Sequence, residues 1–136
     1  MTRPVYLLDT NIIIYLRRKR PPTLIERLTA LAPGEAAISA ITFGELHFGA
    51  WKSGQGETAI SAVDQLAARL AVLDLPIEAS RRYGMLRASL ERQGLLIGGN
   101  DLWIAAHALA SDLVLITNNT REFERVDNLK VENWAV

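Results

Sequence analysis

The sequence contains no cysteine among its 136 residues, which excludes a disulfide, a thiolate nucleophile and a thiolate metal site. It has only two histidines, His47 and His107, and no run approaching the ~18 consecutive apolar residues that a membrane-spanning helix needs. Fifteen basic and fifteen acidic residues cancel, so any binding of nucleic acid must depend on a local basic patch. Catalytic or metal-binding chemistry would therefore rest mainly on side-chain oxygen atoms.

The length and composition indicate one compact domain. With 49% hydrophobic residues, a chain of this size can bury a substantial core, and we assign a single domain to residues 1–136. The first residues, MTRPVYLLDTN, carry one Arg and their apolar run stops at an acid, which is unlike a signal peptide. We therefore expect a cytoplasmic protein that does not associate with membranes.

Apolar periodicity predicts alternating strands and helices. The run beginning at Val5 predicts a strand that is buried on both faces, ends at Asp9 and passes almost directly into a helix. Further strands are predicted at residues 35–39, 73–75, 113–117 and 130–134. Helices are predicted at residues 12–20, 23–31, 41–50, 58–71, 77–93 and 101–109, with one more helical turn at 121–126. This order predicts an α/β fold in which helices flank a mainly parallel central sheet.

Three acids stand at the starts of predicted helices: Asp9, Glu45 and Asp101. In a parallel sheet, helix N-termini and strand carboxyl ends fall on the same side, so these three side chains can meet in one crevice. Each acid also has an ordinary structural interpretation. Asp9 or Asn11 could cap its helix, Thr42-x-x-Glu45 fits a capping box, and an acid in the first turn, such as Asp101, is favoured by the helix dipole.

Converging carboxylates repel one another, so they persist at neutral pH only if some are protonated or a cation compensates them. Oxygen ligands without cysteine or paired histidines select a hard cation, Mg²⁺ or Mn²⁺. Such an ion suits activation of water for attack on a phosphodiester. His47 and His107 lie two and six residues from the nearest acid, on other helix faces, and we expect them in the core or at an interface.

Two polar clusters accompany the acids. Four adjacent basic residues, Arg17, Arg18, Lys19 and Arg20, end the first predicted helix; they either complement the helix dipole as a solvated face or contact phosphate. Thr117 ends the apolar strand LVLIT and Asn119 follows it, so both would stand at the carboxyl edge of the sheet.

Four segments together resemble the motifs of PIN-domain ribonucleases, and within them the VapC-type toxins of bacterial toxin–antitoxin pairs. These segments are LLDTN, ITFGEL (41–46), GNDLWIAAHAL (99–109) and LITNNTREF (115–123), spread over the whole chain in the family's order and spacing. The resemblance implies a PIN-like three-layer sandwich. It also implies that Asp9, Glu45 and Asp101 hold Mg²⁺, while Thr10, Asn11 and Thr117 support the site by hydrogen bonds. Asn119 matches a fourth site that is often Asp, and its neutrality argues against a second tightly bound metal.

The resemblance further implies an activity and partners. It implies a Mg²⁺-dependent endoribonuclease toxin, with Mn²⁺ able to substitute, that cuts an RNA such as tRNA or rRNA by attack of metal-activated water. Asp9 and Asp101 would be direct ligands, with Glu45 acting through a bound water or as a base, and the four basic residues would contact RNA. A homodimer and a VapB-like antitoxin are expected, with DNA bound only through the antitoxin. The antitoxin would lie on the apolar helical surface of residues 24–31 or 43–51.

Two other functional classes are compatible with parts of the pattern. A haloacid-dehalogenase-type phosphohydrolase also places an Asp on the first strand, but it needs a second Asp two residues later, where this chain has Asn11. A non-catalytic interaction module would keep the fold and the helix caps without needing three converging acids.

Overall fold

The computed structural model describes residues 3–136. Strands and helices alternate along the chain in this order: β1 (Tyr6–Leu8), α1 (Thr10–Arg17), α2 (Pro22–Thr29), β2 (Ala36–Ser39), α3 (Ala40–Lys52), α4 (Glu57–Arg69), β3 (Ala71–Leu73), α5 (Ile77–Gln93), α6 (Gly99–Ala110), β4 (Val114–Ile116), α7 (Thr120–Phe123) and β5 (Val131–Glu132). Within these residues, no helix is long and apolar enough to cross a membrane.

The five strands form one sheet in the order β3-β2-β1-β4-β5, and every neighbouring pair is parallel. The strand β1 occupies the centre, with Leu7 opposite Ala37 of β2 on one side and Leu115 of β4 on the other. The predicted α/β fold with a mainly parallel sheet is confirmed, and the sheet is parallel throughout. Parallel strands need helical crossovers, which explains why helices separate the strands along the chain.

Each face of the sheet is covered by its own apolar cluster, because alternate residues of a strand point to opposite faces. Leu8, Ile38 and Ile116 pack with α1, α2 and α4 on one face. Leu7 and Leu115 pack with α5, α6 and α7 on the other. The central strands are therefore buried on both sides, as their unbroken apolar runs predict, and their polar side chains are confined to the strand ends.

Two helices begin directly where a strand ends. Asp9 is the N-cap of α1, and Ser39 is the N-cap of α3, with its Oγ accepting a hydrogen bond of 3.1 Å from the Ile41 amide. The capping box Thr42-x-x-Glu45 is thus wrong, because α3 begins at Ala40 and leaves Thr42 buried within its first turn. Glu45 consequently lies inside the helix with no capping role.

Several predicted boundaries also differ. The strand β3 is Ala71–Leu73, two residues earlier than predicted, because Leu70 already has the extended backbone that ends α4. The first helix ends at Arg17 instead of continuing through the whole basic run. The helix α6 begins at Gly99, two residues earlier than predicted; its N-cap is Gly98, and no side chain caps it. The loop between α3 and α4 includes two glycines with positive φ, Gly54 and Gly56.

Candidate active site

Asp9 stands at the carboxyl end of the central strand and is almost fully buried, with 4% of its surface exposed. Its amide donates to the Ile116 carbonyl at 2.9 Å, which continues the pairing of β1 with β4 for one residue beyond the strand. Its Oδ1 accepts from the Thr10 amide and its Oδ2 from the Thr117 hydroxyl, each at 2.8 Å. Burial raises the pKa of Asp9, although these two hydrogen bonds oppose the shift. The carboxylate is therefore fixed in one orientation at the sheet edge.

A small polar network holds this orientation. Thr117 is completely buried; besides donating to Asp9, its hydroxyl accepts from the Asn119 amide at 3.0 Å and from Asn11 Nδ2 at 3.4 Å. Asn11 Oδ1 in turn accepts from the Asn118 amide at 3.3 Å. Thr117, Asn11 and Asn119, predicted as supporting residues, thus lie in one network around Asp9.

Glu45 reaches the same edge from the second turn of α3. Its Oε1 accepts a hydrogen bond of 2.7 Å from the Thr10 hydroxyl, and Thr10 also lies 3.4 Å from the Thr42 hydroxyl. Thr10 therefore connects the two acids, with its amide bonded to Asp9 and its hydroxyl to Glu45. No described residue donates a hydrogen bond to the other Glu45 oxygen, which leaves that oxygen available to a ligand.

Asp101 lies in the first turn of α6 and titrates far from its ordinary range. Partial burial, followed by the negative charges of Asp9 and Glu122, raises the pKa of Asp101 to about 7. Gly98 lies against it: a Cβ at that position would be 3.5 Å from Asp101 Oδ2, an ordinary van der Waals contact. The carboxyl groups are therefore close enough to disfavour ionisation of one another.

Glu122 is a fourth carboxylate at this site, which was not predicted from the sequence. It lies on the short helix α7, where Oε1 accepts from the Gly98 amide at 2.9 Å and Oε2 accepts from Asn119 Nδ2. It also raises the pKa of Asp101 by its charge and by a hydrogen bond. Glu122 thus supplies a negative charge at the corner where the neutral Asn119 stands. Its position three residues after Asn119 is typical of a capping box, which is why the sequence alone favours a structural role.

The donor set fits a hard divalent cation. The charges of Asp9, Glu45 and Glu122 all raise the pKa of Asp101, and within residues 3–136 none of the four carboxylates forms an ion pair with Lys, Arg or His. In the described part of the chain, however, no three of these groups already stand in a metal-coordinating arrangement. A bound ion would compensate the repulsion and draw the carboxylates together.

The remaining predicted residues form no hydrogen bond or ion pair with these carboxylates within residues 3–136. Arg17, Arg18, Lys19 and Arg20 are exposed at the end of α1 and in the turn that follows. His107 is buried, with Nδ1 2.8 Å from Ser39 Oγ, which confirms a core role. His47 is partly exposed, packs edge-on against Phe43 and lies 3.1 Å from Asp64 of α4.

Comparison with known proteins identifies the family. The PIN domain model matches residues 6–129. Ribonuclease VapC2 of Haemophilus influenzae is 44% identical over 96% of this chain and 98% of its own length. The tRNA(fMet)-specific endonuclease VapC of Shigella flexneri is 41% identical over the same shares. The crystal structure of VapBC2 from Rickettsia felis bound to a promoter DNA fragment contains a similar chain, with a TM-score of 0.88, 42% identity and coverage of 96% of this chain and 98% of that one. The chain therefore belongs to the PIN-domain family, in its VapC group.

Proposed function

We propose that this chain is a Mg²⁺-dependent endoribonuclease and the toxin of a VapBC-type toxin–antitoxin module. The observation that carries the proposal is the gathering of Asp9, Glu45, Asp101 and Glu122 at one sheet edge without a basic partner among the described residues. The names of the two relatives, a ribonuclease and a tRNA-specific endonuclease, support RNA as the substrate.

Each acid has a proposed role. Asp9 and Asp101 would hold the ion, and Glu45, with one oxygen free of hydrogen bonds from the described chain, would help to hold it or act as a general base. When bound, Mg²⁺ or Mn²⁺ supplies positive charge that polarises the scissile phosphate and lowers the pKa of a water nucleophile. Thr10, Asn11, Thr117 and Asn119 hold the carboxylates in place, and Glu122 adds charge beside Asp101.

Cleavage of RNA by the purified chain tests the proposal. We expect a mixed tRNA and rRNA substrate to be cut in Mg²⁺ and left intact in EDTA, with Asp9→Asn slower by at least about 100-fold. The matched control is Asp74→Asn, which changes an exposed acid after β3. Cleavage that survives both EDTA and Asp9→Asn would refute the metal mechanism, and an absence of cleavage would favour a non-catalytic interaction module.

The class of RNA requires its own experiment. Because a relative is named for the initiator tRNA, we propose a tRNA as the first candidate and rRNA as the second. Sequencing of RNA ends after expression in cells should give one dominant cut in a tRNA loop. Ends scattered over many messenger RNAs would contradict this assignment.

An antitoxin of VapB type is the proposed protein partner, with the toxin as a homodimer that contacts DNA only through that antitoxin. The similar chain from Rickettsia felis was crystallised as VapBC2 bound to promoter DNA, which supports a VapB-type partner and an association of the complex with DNA. Two apolar surfaces could receive the antitoxin. One is a groove of about 390 Å³ that includes Leu28 and Leu66, and the other carries Phe48 and Trp51, which are 66% and 69% exposed.

Polar substitutions on both surfaces test this placement. A variant combining Leu28→Gln and Leu66→Gln with Phe48→Ser and Trp51→Ser should lose antitoxin binding in a pull-down with the co-expressed partner. Full binding by this variant would rule out both surfaces. Sedimentation of the unaltered chain should give a dimer, and a monomer at all concentrations would contradict the homodimer.

A further inference from the structure

A pocket with two arginines in an otherwise largely apolar lining opens at the turn between α1 and α2, next to Asn118, which follows the carboxyl end of β4. It has a volume of about 480 Å³, within the range of ligand-binding pockets, and is lined chiefly by Tyr15, Arg18, Arg20, Pro21, Pro22 and Asn118. None of its lining residues is acidic. Of the four basic residues, Arg18 and Arg20 line the pocket, whereas Arg17 and Lys19 do not.

The charge of this pocket is uncompensated. Neither Arg18 nor Arg20 forms an ion pair with any residue from 3 to 136, whereas Arg27, on the following helix, pairs with Glu132 at 3.4 Å. Two unpaired guanidinium groups on one pocket are suited to phosphate oxygens, which arginine binds through two parallel N–H donors. The chain as a whole is neutral, so this positive charge is a local feature.

The turn that connects Arg18 and Arg20 has a positive-φ residue and a backbone hydrogen bond that closes it. Lys19 has a φ of 56°, in the left-handed region where Gly or Asn is the usual residue after a helix. The Arg20 amide then folds back to donate to the Tyr15 carbonyl at 3.3 Å. The sequence thus keeps a basic residue at a position where glycine would be easier, which leaves the run of four positive charges unbroken.

The pocket is joined to the proposed catalytic residues by hydrogen bonds. Asn118 Nδ2 donates to the Tyr15 hydroxyl at 2.8 Å, and the Asn118 amide donates to Asn11 Oδ1 at 3.3 Å. Asn11 in turn donates to Thr117, whose hydroxyl donates to Asp9. The two sites therefore share one polar network at the same edge of the sheet, and a chain of nucleotides crossing that edge would meet both.

We propose that this pocket is a nucleotide subsite, in which Arg18 and Arg20 hold an RNA phosphate next to the scissile one and Tyr15 and the two prolines contact its base. The Tyr15 hydroxyl accepts from Asn118 and keeps its own proton, which it can donate to an acceptor on the base edge. The ring faces of Pro21 and Pro22 add apolar contact. This assignment rests on the proposed ribonuclease function.

Binding of a short fluorescein-labelled single-stranded RNA tests the subsite. The protein carries Asp9→Asn to prevent cleavage, and the test variant adds Arg18→Gln and Arg20→Gln. We expect binding about 10-fold weaker and a salt dependence shallower by about 0.7 in the log–log slope, the value for one lost phosphate contact on a single strand. The matched control adds Arg81→Gln and Arg92→Gln, two exposed changes on α5, and should bind like its parent.

A charge-conserving variant and a kinetic measurement complete the test of the subsite. Arg18→Lys with Arg20→Lys keeps the charge, so it should restore the salt slope while recovering only part of the affinity. With Asp9 intact, Arg18→Gln/Arg20→Gln should raise KM for RNA more than it lowers kcat. Cleavage by the unaltered chain, combined with equal RNA binding by both double Gln variants, would overturn the subsite alone. If the unaltered chain neither cleaves nor binds RNA, the proposed function is overturned as well. If the Arg18→Gln/Arg20→Gln variant loses only antitoxin binding, the pocket belongs to the interface with the protein partner, and the subsite is refuted.

Discussion

Thr117 holds the Asp9 carboxylate from a completely buried position. Replacement by Val keeps the shape but removes the donor, so Asp9 is left with the Thr10 amide and its pKa rises further. We predict that Thr117→Val lowers RNA cleavage or Mg²⁺ affinity about 10- to 100-fold, the usual range for residues that orient metal ligands. Steady-state cleavage kinetics measure this effect. Thr29→Val, at an exposed threonine bonded only to a backbone carbonyl, should leave the kinetics unchanged.

Asp101 makes stability depend on pH in a defined direction. Its pKa is about 7 in the folded chain and 3.8 ordinarily, so between these values the folded state holds a proton that the unfolded state has lost. The stabilising contribution of this proton is complete below pH 3.8 and is lost as the pH rises through about 7. In EDTA, we predict that the free energy of unfolding falls over this window and that Asp101→Asn flattens the fall. Urea unfolding at several pH values measures it. An equal slope in the Asp101→Asn variant would contradict the assignment.

For individual residues, the sequence predicts that a polar side chain belongs to the site when it stands at the end of an apolar strand. Asp9 and Thr117 follow two unbroken apolar strands, so their convergence follows from parallel pairing alone. The position of Glu122 could not be predicted in this way. It lies on a four-residue helix whose direction is set by packing of Phe123 in the core. The raised pKa of Asp101 also depends on distances among four side chains, which no local pattern specifies.

The start of α3 depends on Ser39, which serves two elements at once. Its hydroxyl caps the helix that carries Glu45, and it also lies 2.8 Å from Nδ1 of the buried His107 on α6. Ser39→Ala therefore removes a helix cap and leaves a buried imidazole nitrogen without its partner. We predict a loss of about 2 to 4 kcal/mol in the free energy of unfolding. Urea unfolding measures it, with Ser80→Ala on the exposed face of α5 as the control; a loss no larger than that of the control would contradict this role.

Elements are predictable where one pattern dominates and less so where patterns overlap. The strand β4 and the long helix α5 follow from an unbroken apolar run and a sustained helical period. At the start of α3, two capping signals compete, and Ser39 is used because the strand β2 ends there by pairing with β3. The position of β3 is likewise set by its register with β2, which places Ala71 opposite Ala37.

For the whole molecule, the parallel sheet explains why residues far apart in the chain form one site. The central position of β1 between β2 and β4 brings Asp9 next to the ends of both neighbours, at Ser39 and Thr117. The order of strands and helices predicts this edge, since parallel strands with helical crossovers align their carboxyl ends. The pocket beside Arg18 and Arg20 was not predictable in the same way, because it depends on how the turn after α1 folds back toward Asn118.

If the carboxylates at this edge form a metal site, calorimetric titration of Mg²⁺ into the purified chain measures its occupancy. At about pH 8, where Asp101 has lost its proton, we predict binding of about one ion per chain, with weaker binding near pH 5.5 because protons compete for the same oxygens. Asp9→Asn should abolish the binding heat, while Asp74→Asn should retain it. Mg²⁺ binding that is absent from the unaltered chain, or unchanged in Asp9→Asn, would contradict the account.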